Sequence, residues 1–230
     1  MDLDIAVKVA AGICIVLSAA AFAVRHSTFR RYDVRSYKAP AGRDVAREML
    51  RAGGLGRVPI SGEGTSPRTL YSALAGKLYL DSEKADGEDA VYASQCAFEA
   101  AHALARKSGS RMIAPREIAV RAVNAMRFAL WPLLLFGSVF ASVPLLYAGS
   151  LCAVAAIVLQ LAFLRTELNC ARRARNVLRR RKLADERFVS AALPLCTAHA
   201  LFMAAAPFET LSSILKGFLS ISSRFIGQSQ

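Results

Sequence analysis

Charged residues are scarce in this sequence, and acidic residues are the scarcer kind. Only 20% of the 230 residues are charged, 17 of them acidic and 30 basic, whereas 54% are hydrophobic. The mean hydropathy of +0.34 is correspondingly high. Soluble domains rarely have this composition, because more of their residues must be polar to cover the surface. The composition therefore predicts an integral membrane protein.

Small motifs for binding metals or nucleic acids are also missing. The five cysteines form no CxxC pair and lie mostly in apolar stretches, which is typical of small core residues in a reducing compartment. The net charge of +13 could indicate nucleic-acid binding, but no zinc knuckle or RNA-binding aromatic pattern accompanies it. We therefore expect no nucleic-acid partner and assign the basic residues to a membrane surface.

Long apolar runs are abundant. A helix needs about 20 apolar residues to cross a bilayer, and four runs approach that length. They occupy residues 3–24, 128–147, 148–164 and 188–208. The middle two are predicted to form a helical hairpin over 128–164, with its outer turn near Tyr147–Gly149. Four membrane spans are the simplest interpretation.

The charges around these runs predict the orientation of the chain. Asp2 and Asp4 precede the first run and its arginines follow it, which is the reverse of a cleavable leader, so we expect an anchor with its N-terminus outside. Residues 25–127 carry 18 Lys and Arg and residues 165–187 carry nine, so 27 of the 30 basic residues fall in these two segments. A four-span layout puts both segments on one face, which the positive-inside rule identifies as cytoplasmic.

One segment between the anchor and the hairpin can fold in water. Its helical and strand patterns are short and are separated by glycine, serine and proline, which indicates a small α+β unit. The predicted elements are an amphipathic helix over 41–54, strands over 57–60 and 77–82, and an alanine-rich helix from Asp86 or Glu88 to Lys107.

Two later segments are predicted to lie at the membrane surface. A basic helix follows the hairpin directly, where arginines attract anionic lipid headgroups, and the tail has an amphipathic pattern suited to a membrane or a partner. The basic residues assigned to lipid are Arg172, Arg173, Arg179 and Arg180. The predicted parts are the anchor 1–25, the cytoplasmic unit 26–127, the hairpin 128–164, the basic helix 165–187, the last span 188–208 and the tail 209–230.

The alanine-rich helix contains an incomplete metal-binding motif. Residues Phe98-Glu99-Ala100-Ala101-His102 have the spacing of HExxH, in which two histidines four apart bind zinc from one helix face. A phenylalanine stands in place of the first histidine. Such a pairing of glutamate and histidine also arises by chance, so the surrounding motifs decide its meaning.

Four motifs occur in order along the chain, with membrane spans interleaved. They are AGRDVAREMLRAGGL, KLYLDSE, CAFEAAHAL and RTELNCARRA. In this order and spacing the chain resembles the neutral zinc metallopeptidase family of bacterial multi-pass membrane proteins, over roughly residues 28–205. The resemblance implies a mainly α-helical protein of the bacterial cytoplasmic (inner) membrane, with a small zincin-like α+β unit in the cytoplasm.

The resemblance also implies roles for particular residues. His102 matches the second zinc-binding histidine, Glu99 the general base, and Glu167 the distal zinc ligand. Asn169 and Arg173 match residues of the motif around that ligand. The predicted hairpin independently returns Glu167 to the membrane face that carries His102, so we expect these two side chains to meet.

Two departures from the family pattern argue against catalysis. Phe98 offers no lone pair to a metal, and two ligands seldom hold a catalytic zinc, which ordinarily has three. The family's upstream acidic motif is replaced by TLYSA, in which only Tyr71 remains. We expect a pseudopeptidase without a cofactor that binds a membrane-protein partner or a second copy of itself. If only the first ligand is broken, Phe98→His should restore zinc binding.

Other interpretations stay open. An active zinc peptidase could use a site rebuilt from His102, Glu167 and His199, with Glu99 as base. In a metal-free site, His102 could pack against Phe98 and hydrogen-bond Glu167, while His199 bonds a backbone carbonyl or Thr197. A third interpretation is a structural protein that organises anionic lipid through its basic face.

Overall fold

The computed structural model describes residues 3–32, 39–61 and 69–212. Helices dominate this part of the chain, and three short strands form one sheet. The elements are α1 Leu3–Tyr32, α2 Gly42–Ala52, β1 Ile60–Ser61, β2 Leu70–Ser72, β3 Lys77–Tyr79, α3 Ala90–Lys107, α4 Ile113–Val139, α5 Val143–Arg181, α6 Glu186–Ala200 and α7 Phe202–Ser212. Most of the predicted tail, residues 213–230, lies outside the described residues.

Three helices are long and apolar enough to cross a membrane. They are α1, α4 and α5, and many of their large apolar side chains are exposed, including Val16, Val139 and Leu151. The α6–α7 pair passes the same test together but is bent by 78°, as in a broken span or a re-entrant loop. The prediction of a mainly helical fold is therefore confirmed, and the three helices, or up to four with the bent pair, are candidate spans as expected of a membrane protein.

The turn of the hairpin differs from the prediction. α4 and α5 are joined by residues 140–142, whereas Tyr147–Gly149 lie inside α5. The glycine there serves close helix packing, since a Cβ on it would lie 2.7 Å from the side chain of Leu134. Pro144 stands in the first turn of α5, where proline is compatible with a helix. The small residues and the proline led to the prediction of a turn here, but the chain is helical at these positions.

The chain divides into two compact units. One comprises residues 1–23, 120–160 and 202–230, and the other comprises residues 24–119 and 161–201. The second unit contains α2, the sheet, α3, the first turns of α4, the later part of α5, and α6. All residues of the candidate site belong to this second unit.

The sheet has the order β1–β3–β2, with β1 parallel and β2 antiparallel to β3. The strands predicted over 57–60 and 77–82 correspond to β1 and β3. β1 is shorter than predicted and begins only at Ile60, whereas β3 covers the first three residues of its predicted range. β2 was not predicted and lies in the TLYSA segment. It joins β3 through a tight connection in which Gly76 has φ of 63°, a conformation that favours glycine.

α3 runs through the core of the second unit. It begins at Ala90, later than the predicted start at Asp86 or Glu88, after an N-cap at Asp89 whose side chain accepts from the backbone N–H of Val91. Its alanines are almost fully buried, and their small size lets neighbouring elements approach on every side. As a result, Glu99 and His102 project into the interior of the protein.

Candidate functional site

Four ionisable side chains form a buried cluster. Glu99 and His102 come from α3, Arg116 from the first turn of α4, and Glu167 from α5, with exposures of 5%, 0%, 4% and 2%. Charged groups are stable at such depth only when they are paired and hydrogen-bonded. We call these four residues the charge cluster.

Arg116 is the centre of the charge cluster. Its Nε donates to Oε1 of Glu167 at 2.7 Å, while its two terminal nitrogens donate to the two oxygens of Glu99 at 3.2 and 3.0 Å. The planar guanidinium suits this arrangement because its donors form a rigid fork that matches carboxylate oxygens. One arginine therefore bridges two carboxylates that come from different helices.

His102 completes the charge cluster. Its Nδ1 lies 2.9 Å from the carbonyl oxygen of Phe98, to which it donates. Its Nε2 lies 3.2 Å from Oε2 of Glu167, close enough for an ion pair but without hydrogen-bond geometry. Among the described residues neither His102 Nε2 nor Glu167 Oε2 has a hydrogen bond, so the charge of the imidazolium and the charge of the carboxylate compensate each other.

The surroundings of His102 favour its charged form. Burial and the Arg116 charge lower the pKa of His102, but Cys170 and the carboxylates of Glu99 and Glu167 act against them and raise it to about 10. With the imidazole protonated, two positive and two negative charges balance within the charge cluster. A neutral imidazole would leave one negative charge buried and uncompensated.

The first turn of α4 also fixes the neighbouring strand. Glu117, beside Arg116, accepts from Ser72 Oγ at 2.8 Å and from the backbone N–H of Leu74 at 3.1 Å. The backbone N–H of Tyr71 donates to Oε2 of Glu99 at 3.0 Å. Strand β2 is thereby attached to both acidic residues, and the TLYSA segment forms one wall of the charge cluster.

Phe98 occupies the space one turn before His102. Its ring is 1% exposed and meets the imidazole edge to face at 4.6 Å between centroids. The structure thus shows the predicted packing of Phe98 on His102, whereas His102 and Glu167 meet in an ion-pair contact at 3.2 Å without the predicted hydrogen bond.

His199, the suggested replacement ligand, bonds elsewhere. Its Nε2 lies 3.1 Å from Ser94 Oγ and 3.1 Å from the carbonyl oxygen of Val91, and its ring lies 6.3 Å from that of Phe98. Because these bonds use Nε2 on the backbone and a hydroxyl of α3, the imidazole is held away from Glu99 and Glu167. The structure does not bring His199 into the charge cluster.

Asn169 and Arg173 lie outside the charge cluster and line a cleft of about 520 Å³. Arg173 donates to Ser108 Oγ at 2.8 Å, which ties α5 to the end of α3. We call the cleft of about 520 Å³ the basic cleft. The polar residues that line it include Thr166, Asn169, Arg172, Arg173, Asn176 and Arg180.

Arg116 was not among the site residues predicted from the sequence. The available signal was the Arg116-Glu117 pair within the otherwise apolar stretch IAPREIAV, in the segment predicted as the cytoplasmic unit. Charged residues in an apolar segment are buried only when they have partners, so the pair indicated a buried polar site. The identity of those partners depends on tertiary structure.

The residues of the charge cluster do not fit a zinc ion. A catalytic zinc needs three lone-pair donors and an open position for water. Here Phe98 supplies no donor, the neighbouring carboxylates favour the protonated form of His102, and Arg116 places a positive charge on both carboxylates. Among the described residues, no group of three His, Cys, Asp or Glu side chains is arranged to hold a metal ion.

Comparison with known proteins extends the resemblance seen in the motifs. A family described as "Putative neutral zinc metallopeptidase" matches residues 7–222 of this chain. The match covers both compact units and all residues of the charge cluster. No curated protein and no solved structure matches the chain significantly.

Proposed function

The chain belongs to the neutral zinc metallopeptidase family, and from this premise we propose that it is a catalytically inactive member whose fold serves binding or assembly in a membrane. The observation that supports the proposal best is the bridge from Arg116 to Glu99 and Glu167. Arg116 thereby binds Glu99, which matches the general base of the family, and Glu167, which matches its distal zinc ligand.

The bridge is incompatible with the chemistry of a zinc peptidase. Such an enzyme activates a zinc-bound water and uses a free carboxylate to accept its proton. Both oxygens of Glu99 already accept hydrogen bonds, from Arg116 and from the backbone of Tyr71. The fixed guanidinium charge also repels a second cation from the same carboxylates.

The charges of the charge cluster balance without a metal ion. A guanidinium remains protonated at all relevant pH values and holds two buried carboxylates together without a metal. The surrounding core keeps α2, α3 and the sheet in place through buried residues such as Met49, Leu78 and Leu195. A chain that retains this shape without the peptidase chemistry is suited to binding a membrane-protein partner or a second copy.

The charge distribution supports a location in a bacterial inner membrane. With 27 of the 30 basic residues in 25–127 and 165–187, the positive-inside rule favours a cytoplasmic location for these two segments and an N-terminus outside. This is the layout that the family resemblance implies.

Peptide hydrolysis tests the proposal. The detergent-solubilised protein, supplied with zinc, is incubated with a peptide mixture that is then analysed by mass spectrometry, alongside Glu99→Gln. We expect the same peptide pattern from both proteins and from buffer alone. Cleavage by the wild type that Glu99→Gln abolishes would instead support an active peptidase with a rebuilt site.

A further inference from the structure

The basic cleft lies on one stripe of α5. Asn169, Arg173, Asn176 and Arg180 are spaced by three or four residues, so they follow one face of the helix, and Arg172 flanks them. Amide and guanidinium groups therefore alternate along one wall of a space of about 520 Å³. None of the described residues that line this space is acidic.

This combination of groups is complementary to phosphate. Guanidinium groups offer paired N–H donors that match phosphate oxygens, and the amide of asparagine adds further donors. Three arginines without a lining carboxylate repel one another, and an anion between them removes that repulsion. From this arrangement we infer that the basic cleft binds a phosphate-bearing ligand.

One arginine of the basic cleft is held in place by the fold. Arg173 donates to Ser108 Oγ, and the same hydroxyl donates to the carbonyl oxygen of Ala105 at 2.9 Å. Ala105 itself lines the cleft. An arginine anchored in this way loses less conformational freedom when it binds an anion, which favours a specific site over a diffuse basic surface.

The position along α5 suits both a lipid headgroup and a soluble phosphate compound. The apolar part of the helix ends at Leu164, so Asn169 is roughly 8 Å and Arg180 roughly 24 Å further along the axis. A headgroup layer is roughly 5 to 8 Å thick. The near end of the basic cleft therefore lies at headgroup depth, and its far end reaches into water.

Binding measurements on the full chain test this site. The protein in a zwitterionic detergent is titrated with pyrophosphate, with short-chain phosphatidylglycerol, and with short-chain phosphatidylcholine as the zwitterionic comparison. The cleft variant is Arg173→Gln/Arg180→Gln. The control is Arg57→Gln/Arg187→Gln, which removes the same charge from exposed arginines that do not line the cleft.

We expect the cleft variant to raise the dissociation constant at least about tenfold, because two charge-assisted hydrogen bonds are lost. The control should change it less than about threefold, since only long-range charge is removed. Binding of pyrophosphate would identify a soluble phosphate compound, and binding of phosphatidylglycerol alone would identify a lipid headgroup. No binding of either probe, or equal losses in both variants, would overturn the inference.

A second variant tests the same site in case the cleft variant does not fold. Asn176→Leu keeps every charge but removes amide donors from the wall of the basic cleft. It should weaken binding several-fold while the unfolding temperature stays near that of the wild type. Unchanged affinity in this variant and in the folded cleft variant would show that the cleft is not a phosphate site.

Discussion

At the scale of single residues, two positions separate this chain from a zinc-binding site. Phe98 supplies no donor, while Arg116 places a permanent cation between Glu99 and Glu167. Arg116 is the more consequential of the two, because a missing donor weakens metal binding whereas a fixed charge opposes it. The sequence alone suggested that restoring a histidine at position 98 would be enough, and the position of Arg116 changes that expectation.

Paired substitutions separate these two effects. Phe98→His alone should remain well below one zinc per chain, because the guanidinium still engages both carboxylates. Phe98→His/Arg116→Ala should approach one zinc per chain, since two histidines four apart and Glu167 then form a three-donor set. Metal analysis of the two purified variants measures the difference. Stoichiometric zinc in the single variant would show that Arg116 does not block the site.

Arg116 should also be essential for stability. Arg116→Gln removes one partner of a buried ion-pair network and leaves two carboxylates close together, which costs about 3 to 5 kcal/mol in comparable sites. Chemical unfolding in mild detergent, followed by circular dichroism, measures this loss. Arg111→Gln, on the exposed connection before α4, is the matched control and should change the free energy of unfolding by less than about 1 kcal/mol. Equal effects of the two substitutions would contradict the buried network.

At the scale of helices and strands, packing decides what the sequence pattern leaves open. The spacing of Glu99 and His102 fixed them on one helix face, and the predicted hairpin anticipated their approach to Glu167. Arg116 escaped prediction because its partners lie on two other helices. β2 also escaped, because a three-residue strand has no periodicity of its own and depends on pairing with β3 and on contacts with the acidic residues.

The glycine in α5 shows the same dependence on packing and provides a test of the revised hairpin. Gly149→Ala places a Cβ 2.7 Å from the side chain of Leu134 and 3.3 Å from its backbone nitrogen, so the two helices must shift. We expect a loss of about 1 to 3 kcal/mol in the free energy of unfolding. Gly12→Ala, in another apolar helix, meets nothing within 4 Å and should cause no loss. A neutral effect of Gly149→Ala would argue against close packing at this point.

At the scale of the whole molecule, the charge asymmetry and the observed turn predict which residues face the cell exterior. In a cysteine-free background expressed in bacteria, Ala141→Cys at the turn between α4 and α5 should react with a membrane-impermeant thiol reagent. Lys182→Cys, after the basic end of α5, should react only after the cells are permeabilised. Both positions are exposed, so accessibility within the protein does not separate them. Labelling of Lys182→Cys in intact cells would overturn the proposed orientation.

The zinc content of the wild-type protein tests the central claim most directly. The protein is purified in mild detergent without chelator, exposed to excess zinc, desalted and analysed by elemental mass spectrometry. Because Arg116 supplies the positive charge between Glu99 and Glu167, we expect far less than one zinc per chain. About one zinc per chain, lost on His102→Ala, would contradict the account.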